Sequence, residues 1–275
     1  MAASSPPPPR AGADRIFAAL LKYWRGQRGL SQLDLALTAD VSSRHVSFLE
    51  TGRSRPSEEM VLVLAEALDI ALRDRNSLLS AAGFAPRYPE PDVSTLLLGP
   101  LGQAMTLMLA HHEPYPMVVL DRLYEVVKAN TAARHLLEAV RLATGVEDES
   151  NLLRLLCHPQ VRPLIVNFDE AARTVLRRLQ RDALHRPQDE DMADLLSALL
   201  ATEGVGDLWR APHCGSDDHP VVALRLRLGD VTLAFTTAVT VFSAPQSLTL
   251  EELQIESWFP LDDATAAACR DLFGD

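Results

Sequence analysis

The segment from Gly29 to Ser57 restricts the fold of this chain most, because it contains two short amphipathic stretches joined by a tight turn. Small or apolar residues recur on one face of each stretch, at Leu33, Ala36, Leu37, Val41, Val46 and Leu49. Ser31 and Ser42 stand where the N-caps of two helices are expected. The pattern predicts a helix-turn-helix whose two helices share a small core.

The second predicted helix of this segment has a polar outer face, formed by Ser43, Arg44, His45 and Ser47. The major groove of duplex DNA is wide enough to admit a helix, and side chains of these types reach base edges there. Duplex DNA is therefore the predicted partner. The alternative is a surface helical hairpin with no role in nucleic-acid binding.

The charge distribution supports DNA binding at this segment only. Residues 1–90 contain 11 Lys+Arg and 10 Asp+Glu, whereas residues 91–275 contain 15 and 27, which together give the net charge of −11. The stretch from Lys22 to Arg55 alone has six basic and three acidic residues. The acidic remainder is therefore excluded as a second nucleic-acid surface.

The length of 275 residues predicts two domains, and Pro86, Pro89 and Pro91 mark the boundary between them. Residues 1–12 are rich in Pro and Ser without an apolar stretch, which predicts a disordered tail and not a signal peptide. The three cysteines are far apart and odd in number, and no apolar run approaches the ~18 residues that a membrane span needs. We therefore expect a cytoplasmic protein.

The part of the chain after residue 98 alternates between helical and strand patterns. A helix from Leu101 to His112 is expected to be largely covered, and strands are predicted at residues 117–120, 124–128, 222–228, 233–241 and 253–259. A long amphipathic helix over residues 169–184 is predicted to point four arginines outward, at positions Arg173, Arg177, Arg178 and Arg181. Two strands, several helices and three more strands predict an α+β domain with helices covering one sheet face.

The runs LSQ-x-x-LA, VS, LE-x-G and R-x-R-P-S resemble the XRE or lambda-repressor-type helix-turn-helix over residues from about Asp14 to Phe84. The resemblance implies five helices, of which the third is the recognition helix. It implies DNA contacts by Gln32 at the backbone, by Arg53 and Arg55 at phosphates, and by the recognition helix at Ser42, Ser43, Arg44, His45 and Ser47. Phe48 departs from the polar residue that many such repressors have, and either contacts a thymine methyl or simply packs.

The runs VLDRLYEVVKANTAARHLL, NLLRLL, VNFDEAARTVLRRL and LQIESWFPLDDATAAA resemble the ligand-binding domain of MmyB-like XRE regulators. The two resemblances together extend from about Asp14 to Arg270. The second implies a PAS-like fold around an apolar pocket that takes a small, hydrophobic, fatty-acid-like effector. Candidate lining residues are Met105, Tyr115, Tyr124, Phe168, Trp209, Phe235 and Trp258.

A soft-metal site is the remaining chemical alternative, because His213, Cys214 and His219, with Cys157 and His158, are residue types that bind zinc or copper. Their spacing matches no strong zinc pattern, so incidental residues in a loop are the preferred interpretation. No phosphate loop, nucleophile elbow or HExxH pattern is present in the sequence. We expect neither an enzyme nor a cofactor.

The sequence therefore predicts an all-α five-helix lambda-repressor-like DNA-binding domain followed by an α+β PAS-like domain with an antiparallel sheet and a helical cover. The predicted ranges are a tail at 1–12, the helix-turn-helix domain at 13–85, a linker at 86–98 and the ligand-binding domain at 99–275. We expect a homodimeric transcription regulator that binds a pseudo-palindromic operator. The alternative is a DNA-binding antitoxin-type protein whose second domain binds a protein partner.

Overall fold

The computed structural model describes residues 13–147, 149–186, 189–210, 223–242 and 247–274. The predicted tail at 1–12 and the predicted loop site of His213, Cys214 and His219 lie outside these residues. The chain divides into two compact units, Met1–Glu90 with Gln246–Leu248 and Pro91–Pro245 with Thr249–Asp275. The division after Glu90 lies inside the segment 86–98 that the sequence marks as a linker.

The first unit contains the five helices that the sequence predicts. They are α1 (Ala13–Gln27), α2 (Gln32–Thr38), α3 (Ser43–Glu50), α4 (Glu58–Ala67) and α5 (Leu72–Ala81). A serine caps each of the three middle helices: Ser31, Ser42 and Ser57 accept hydrogen bonds from the backbone N–H three residues on, at 3.1, 3.2 and 3.1 Å. These bonds satisfy amides that the first helical turn leaves unpaired, and they confirm the predicted helix starts.

The core of the first unit includes Ala36 of α2 as predicted, but takes Leu35 and not Leu33 or Leu37. Leu35 and Ala36 are buried, whereas Leu33 and Leu37 are 57% and 73% exposed. Leu33 and Leu37 are one helical turn apart and therefore share a face, but that face points to solvent. Val46 and Leu49 of α3 are buried as predicted, and Val41 is half-buried.

The remaining elements follow in chain order. The helices are α6 (Val93–Leu98), α7 (Pro100–His111), α8 (Thr131–Thr144), α9 (Leu152–Cys157), α10 (Phe168–His185), α11 (Glu190–Ala201), α12 (Val205–Arg210), α13 (Leu248–Glu252) and α14 (Asp263–Phe273), with a single 3-10 turn at Arg162–Leu164. The strands are β1 (Met117–Leu120), β2 (Val126–Ala129), β3 (Ala223–Leu228), β4 (Val231–Val241) and β5 (Gln254–Pro260). Helix α6 lies where the sequence predicts only a linker.

The five strands form one antiparallel sheet in the order β2-β1-β5-β4-β3, which confirms the predicted α+β domain. Strand β2 begins at Val126 and not at Tyr124, because Tyr124 has a φ of 65° and belongs to the turn after β1. The predicted alternation of β3 is confirmed: Leu224 and Leu226 are buried, and Arg225 and Arg227 are exposed.

The two faces of the sheet are covered by separate apolar cores. Val118 and Leu120 of β1 belong to the larger core, which α8 to α12 and α14 complete. Met117 and Val119 point to the opposite face and pack with Met105 of α7. A helical cover therefore exists on one face, and helices α6 and α7 cover part of the other.

Helix α7 is less covered than predicted. Met105 and Leu109 are buried, but Leu107 is 61% and Met108 39% exposed. The helix packs along one stripe only, so its other apolar side chains remain at the surface. None of the described helices combines the length and the apolarity that crossing a membrane requires.

Asn130 joins α8 to the sheet from a buried position, as the N-cap of that helix. Its Oδ1 accepts hydrogen bonds from the backbone N–H groups of Ala133 at 2.9 Å and Met117 at 3.0 Å. Its Nδ2 donates to the carbonyl of Tyr115 at 2.7 Å. One side chain therefore caps α8 and holds the start of β1.

Candidate DNA-binding helix and effector cavity

The polar residues predicted to meet DNA lie at the N-terminal end of α3 and in the loop that follows it. Ser43 and Arg44 are exposed, and His45 and Ser47 are half-buried. The loop folds back on the helix, since the backbone N–H of Arg53 donates to the carbonyl of Phe48 at 2.8 Å and Gly52 adopts a φ of 70°. Arg53 and Arg55 are thereby exposed next to the end of α3.

Phe48 packs beneath one of the predicted base-reading side chains. It is half-buried, and the Arg44 Cζ lies 5.1 Å from the centre of its ring. A cation over a ring face is attracted by the ring quadrupole. Phe48 therefore supports Arg44, which explains an aromatic residue at this position.

A buried carboxylate connects the first three helices. Glu50, the last residue of α3, has a side chain that is 2% exposed, and its two oxygens accept from Arg25 Nε at 2.6 Å and Arg25 Nη2 at 3.0 Å. Gln32, the first residue of α2, also donates to Glu50, at 2.7 Å. Burial alone would raise the pKa of Glu50, but these hydrogen bonds outweigh it and hold the pKa below its usual value.

Sequence reasoning missed this pair, although the sequence has a signal for it. An acidic residue at the C-terminal end of a helix opposes the helix dipole, so Glu50 needs a compensating partner. Gln32, predicted to meet the DNA backbone, is placed at the N-terminus of α2 with its amide directed at Glu50. Its contact with DNA stays a prediction.

The second unit contains an apolar cavity of about 120 Å³ between the helices α8 to α10 and the strands β3 to β5. Its walls are mainly aliphatic: Leu136, Val140, Leu152, Leu153, Leu155, Ile165, Ala171, Val175, Leu224 and Leu226. A dry protein cavity of ~150 Å³ accepts benzene, so this one has the size for a group of about six carbons.

The predicted lining is largely different from the observed one. Among the predicted residues whose side chains are described, only Trp258 lines the cavity. Tyr124, Phe168 and Phe235 are buried in the core around it, Tyr115 packs partly buried against that core, and Met105 lies on the other face of the sheet. Trp209 is in the last turn of α12, and its side chain is outside the described residues. Large aromatic side chains fill the interior of the domain, whereas smaller aliphatic side chains leave room for the cavity.

Arg178 of α10 lines the cavity, although the helical pattern predicts that it points outward. Its side chain is 20% exposed, and its Nη1 donates to Glu256 Oε2 at 3.2 Å. It also hydrogen bonds to Gln254, and its Cζ lies 5.1 Å from the centre of the Tyr124 ring. Arg177 and Arg181 are exposed as predicted, and Arg173 is half-buried. Arg178 differs from them in pointing inward, to partners on β5.

Two family models match the chain. Residues 21–74 match a helix-turn-helix family, and residues 101–272 match the MmyB-like transcription regulator ligand binding domain, which is well over half of the chain. The chain belongs to the MmyB-like transcription regulators. No curated protein matches it. Both matched families are regulatory domains that bind DNA or a ligand, so this MmyB-like protein has the organisation of a ligand-responsive transcription regulator.

Tyr124 continues the polar network of this MmyB-like domain away from the cavity. Its hydroxyl donates to Asp182 Oδ2 at 2.7 Å. Burial raises the pKa of Tyr124 well above its usual value, and the positive charge of Arg178 only partly offsets this effect. The phenol therefore remains protonated and acts as a donor.

The two cysteines that the structure describes in this MmyB-like protein are both buried and free. Burial raises the pKa of Cys157 to about 12 and that of Cys269 to about 11. Among the described residues, no three His, Cys, Asp or Glu side chains converge as a metal site. The alternative based on His213, Cys214 and His219 falls on residues outside that part of the chain.

Proposed function

We propose that this MmyB-like protein is a cytoplasmic, homodimeric regulator that binds a specific DNA sequence through α3 and responds to a small, hydrophobic, fatty-acid-like effector. The observation that carries the effector proposal is the apolar cavity of about 120 Å³ in the second unit. We assign DNA binding to residues 13–85 and effector binding to residues 99–275. A homodimer would place two half-sites about one helical turn, or a multiple of it, apart.

The DNA side of the proposal rests on exposure and charge. Ser43 and Arg44 are exposed on α3, and Arg53 and Arg55 are exposed in the loop beyond it. We assign the side chains on α3 to base edges and those in the loop to phosphates, because base contacts specify a sequence and phosphate contacts position the protein. Phe48 supports the guanidinium of Arg44 during base contact.

Replacing Arg44 with alanine is expected to weaken operator binding by about 1–3 kcal/mol and to relax the preference at one base pair. Replacing Arg53 with alanine is expected to weaken operator and scrambled DNA by similar factors, because a phosphate contact is independent of sequence. Fluorescence anisotropy with both DNA sequences at fixed salt measures this difference. Equal losses on every sequence for both variants would contradict the assignment of α3 as the recognition helix.

The effector side rests on an aliphatic enclosure with a few polar side chains, which is the usual composition of a small-molecule site. A ligand in the cavity touches α8, α9, α10 and the sheet at once. It changes DNA affinity only if it binds two conformations of the regulator with different affinities. The cavity supports this hypothesis over an antitoxin-type protein, which would use the same domain to hold a protein partner.

Filling the cavity tests the effector proposal directly. Ala171 is buried and lines the cavity, so Ala171→Leu places three further carbons inside it. We expect binding of short-chain alcohols to weaken at least tenfold by isothermal titration calorimetry, while operator binding is retained. Ala143→Leu adds the same group at an exposed position of α8 and should leave binding unchanged. If Ala171→Leu binds these compounds as tightly as the wild type, they do not occupy this cavity.

A further inference from the structure

The two charged side chains in the described lining of the cavity form an ion pair with each other, so the cation there already has a counter-charge. Arg178 and Glu256 lie 3.2 Å apart, with side chains that are 20% and 11% exposed. Arg178 is the cation and Glu256 the anion among the described lining residues. The other polar side chains of the lining include the hydroxyl groups of Thr174 and Thr237. The polar end of the cavity is therefore electrically neutral as a whole.

Both members of the pair are engaged by further partners. Arg178 donates to Gln254 as well as to Glu256, and its Cζ lies over the ring of Tyr124. Glu256 accepts from Arg178 through Oε2 and from Trp258 Nε1 through Oε1, at 3.1 Å. A ligand that pairs with Arg178 in place of Glu256 would leave the buried carboxylate of Glu256 without its cation. An unpaired buried charge of this kind costs free energy, which weakens binding.

A second carboxylate lies on the same network. Asp182 is one helical turn after Arg178 on α10 and accepts from the hydroxyl of Tyr124, whose ring Arg178 covers. An ionised carboxylate in the cavity would therefore be the third anion around one cation. Repulsion between like charges and the loss of water both disfavour a charged head group there.

We propose that the polar end of the effector is an uncharged hydrogen-bonding group, such as a hydroxyl or an amide, and that Glu256 selects against an ionised carboxylate. The proposal rests on the effector site proposed above, and it narrows the fatty-acid-like ligand class to uncharged molecules with such a tail, such as fatty alcohols and amides. Thr174 Oγ1 donates its hydrogen to the carbonyl of Glu170 at 3.1 Å, so toward a ligand it acts as an acceptor, which suits a hydroxyl or an amide and not a carboxylate. The hydroxyl of Thr237 is of a type that donates and accepts. The aliphatic walls hold the rest of the molecule.

The test compares 1-hexanol with hexanoate, which contain six carbons each and differ in the charge of the head group. Calorimetric titration of the full-length protein at neutral pH should show at least tenfold tighter binding of 1-hexanol. In Glu256→Gln, Arg178 loses its compensating charge, so hexanoate should gain at least tenfold relative to 1-hexanol. Glu147→Gln makes the same change at an exposed position and should keep the wild-type ratio.

The outcomes separate this inference from the proposed function. If the wild type binds hexanoate at least as tightly as 1-hexanol, or if Glu256→Gln leaves their ratio unchanged, the selection by Glu256 is wrong while the apolar site stands. If the wild type binds neither compound, the proposed effector site is wrong, and this inference fails with it. The wild-type comparison needs no variant, so it decides the preference even if Glu256→Gln does not fold.

Discussion

Replacing Glu50 with alanine is expected to lower the free energy of unfolding of the helix-turn-helix unit by about 3–5 kcal/mol. The substitution leaves Arg25, whose side chain is 16% exposed, without its counter-charge, and it removes the acceptor of Gln32. Helices α1, α2 and α3 lose their shared polar contact and keep their apolar core, so operator binding should fall with stability. Hydrogen exchange of α1 to α3, followed by mass spectrometry on the full chain, isolates this unit from the other.

The control for this prediction is Glu66→Ala, which removes a carboxylate at an exposed position of α4 and should change stability by no more than about 0.5 kcal/mol. The double variant Arg25→Met/Glu50→Leu should regain most of the loss, because apolar replacement of a buried ion pair is often neutral or stabilising. Equal costs for Glu50→Ala and Glu66→Ala would show that the buried pair does not hold these helices together.

The Arg25–Glu50 pair makes the stability of the wild type depend on pH in the acid range, and Glu50→Ala lacks this dependence. The pKa of Glu50 is below its usual value in the folded protein, so its contribution to stability is complete above the pKa of ~4.3 that a glutamate has in the unfolded chain. That contribution is lost as the pH falls through the folded-state pKa. The stability difference between wild type and Glu50→Ala should therefore shrink in acid.

Replacing Asn130 with alanine is expected to lower the free energy of unfolding of the second unit by about 3 kcal/mol or more. Three backbone groups lose their partner at once: the N–H groups of Met117 and Ala133 and the carbonyl of Tyr115. Asn130 is itself buried, and each buried polar group left without a partner costs about 1–3 kcal/mol. Urea denaturation, with hydrogen exchange at β1 and α8, measures the loss and locates it.

Two comparisons separate the capping role of Asn130 from its other contacts. Asp262 caps α14 from an exposed position through one bond to Thr265, so Asp262→Ala should cost only about 1 kcal/mol. Asn130→Asp keeps the acceptor oxygen and removes the donor, so it should be intermediate. If Asn130→Ala and Asp262→Ala lower the free energy of unfolding equally, the hydrogen bonds from Asn130 to β1 and to the loop before it add nothing to stability.

Local pattern is sufficient to predict the parts of this fold that depend on neighbouring residues. The alternation of Leu224 and Leu226 with Arg225 and Arg227 identifies a half-buried strand, and Ser31 and Ser42 identify helix starts. In the short helix α2, leucines at positions 33, 35 and 37 give no single apolar face. Packing against the other helices decides that Leu35 is the buried one.

The parts that the sequence could not predict depend on contacts between distant residues. Arg178 points inward because Glu256, 78 positions later, supplies its counter-charge, and periodicity within α10 has no information about that partner. Likewise, the sequence predicts apolar residues but not where their packing leaves a gap. Of the predicted lining residues whose side chains are described, Trp258 is therefore the one that lines this cavity.

The burial of Cys157 and Cys269 has a kinetic consequence. Alkylating reagents and oxidants react with the thiolate, and a pKa of about 11 leaves roughly one Cys269 thiol in ten thousand ionised at neutral pH. Both sulphurs also lie in the core that surrounds the cavity, so a reagent reaches them only when that core opens. In a Cys214→Ser background, the labelling rate of these two native thiols therefore records how often the ligand-binding domain opens, without an introduced probe.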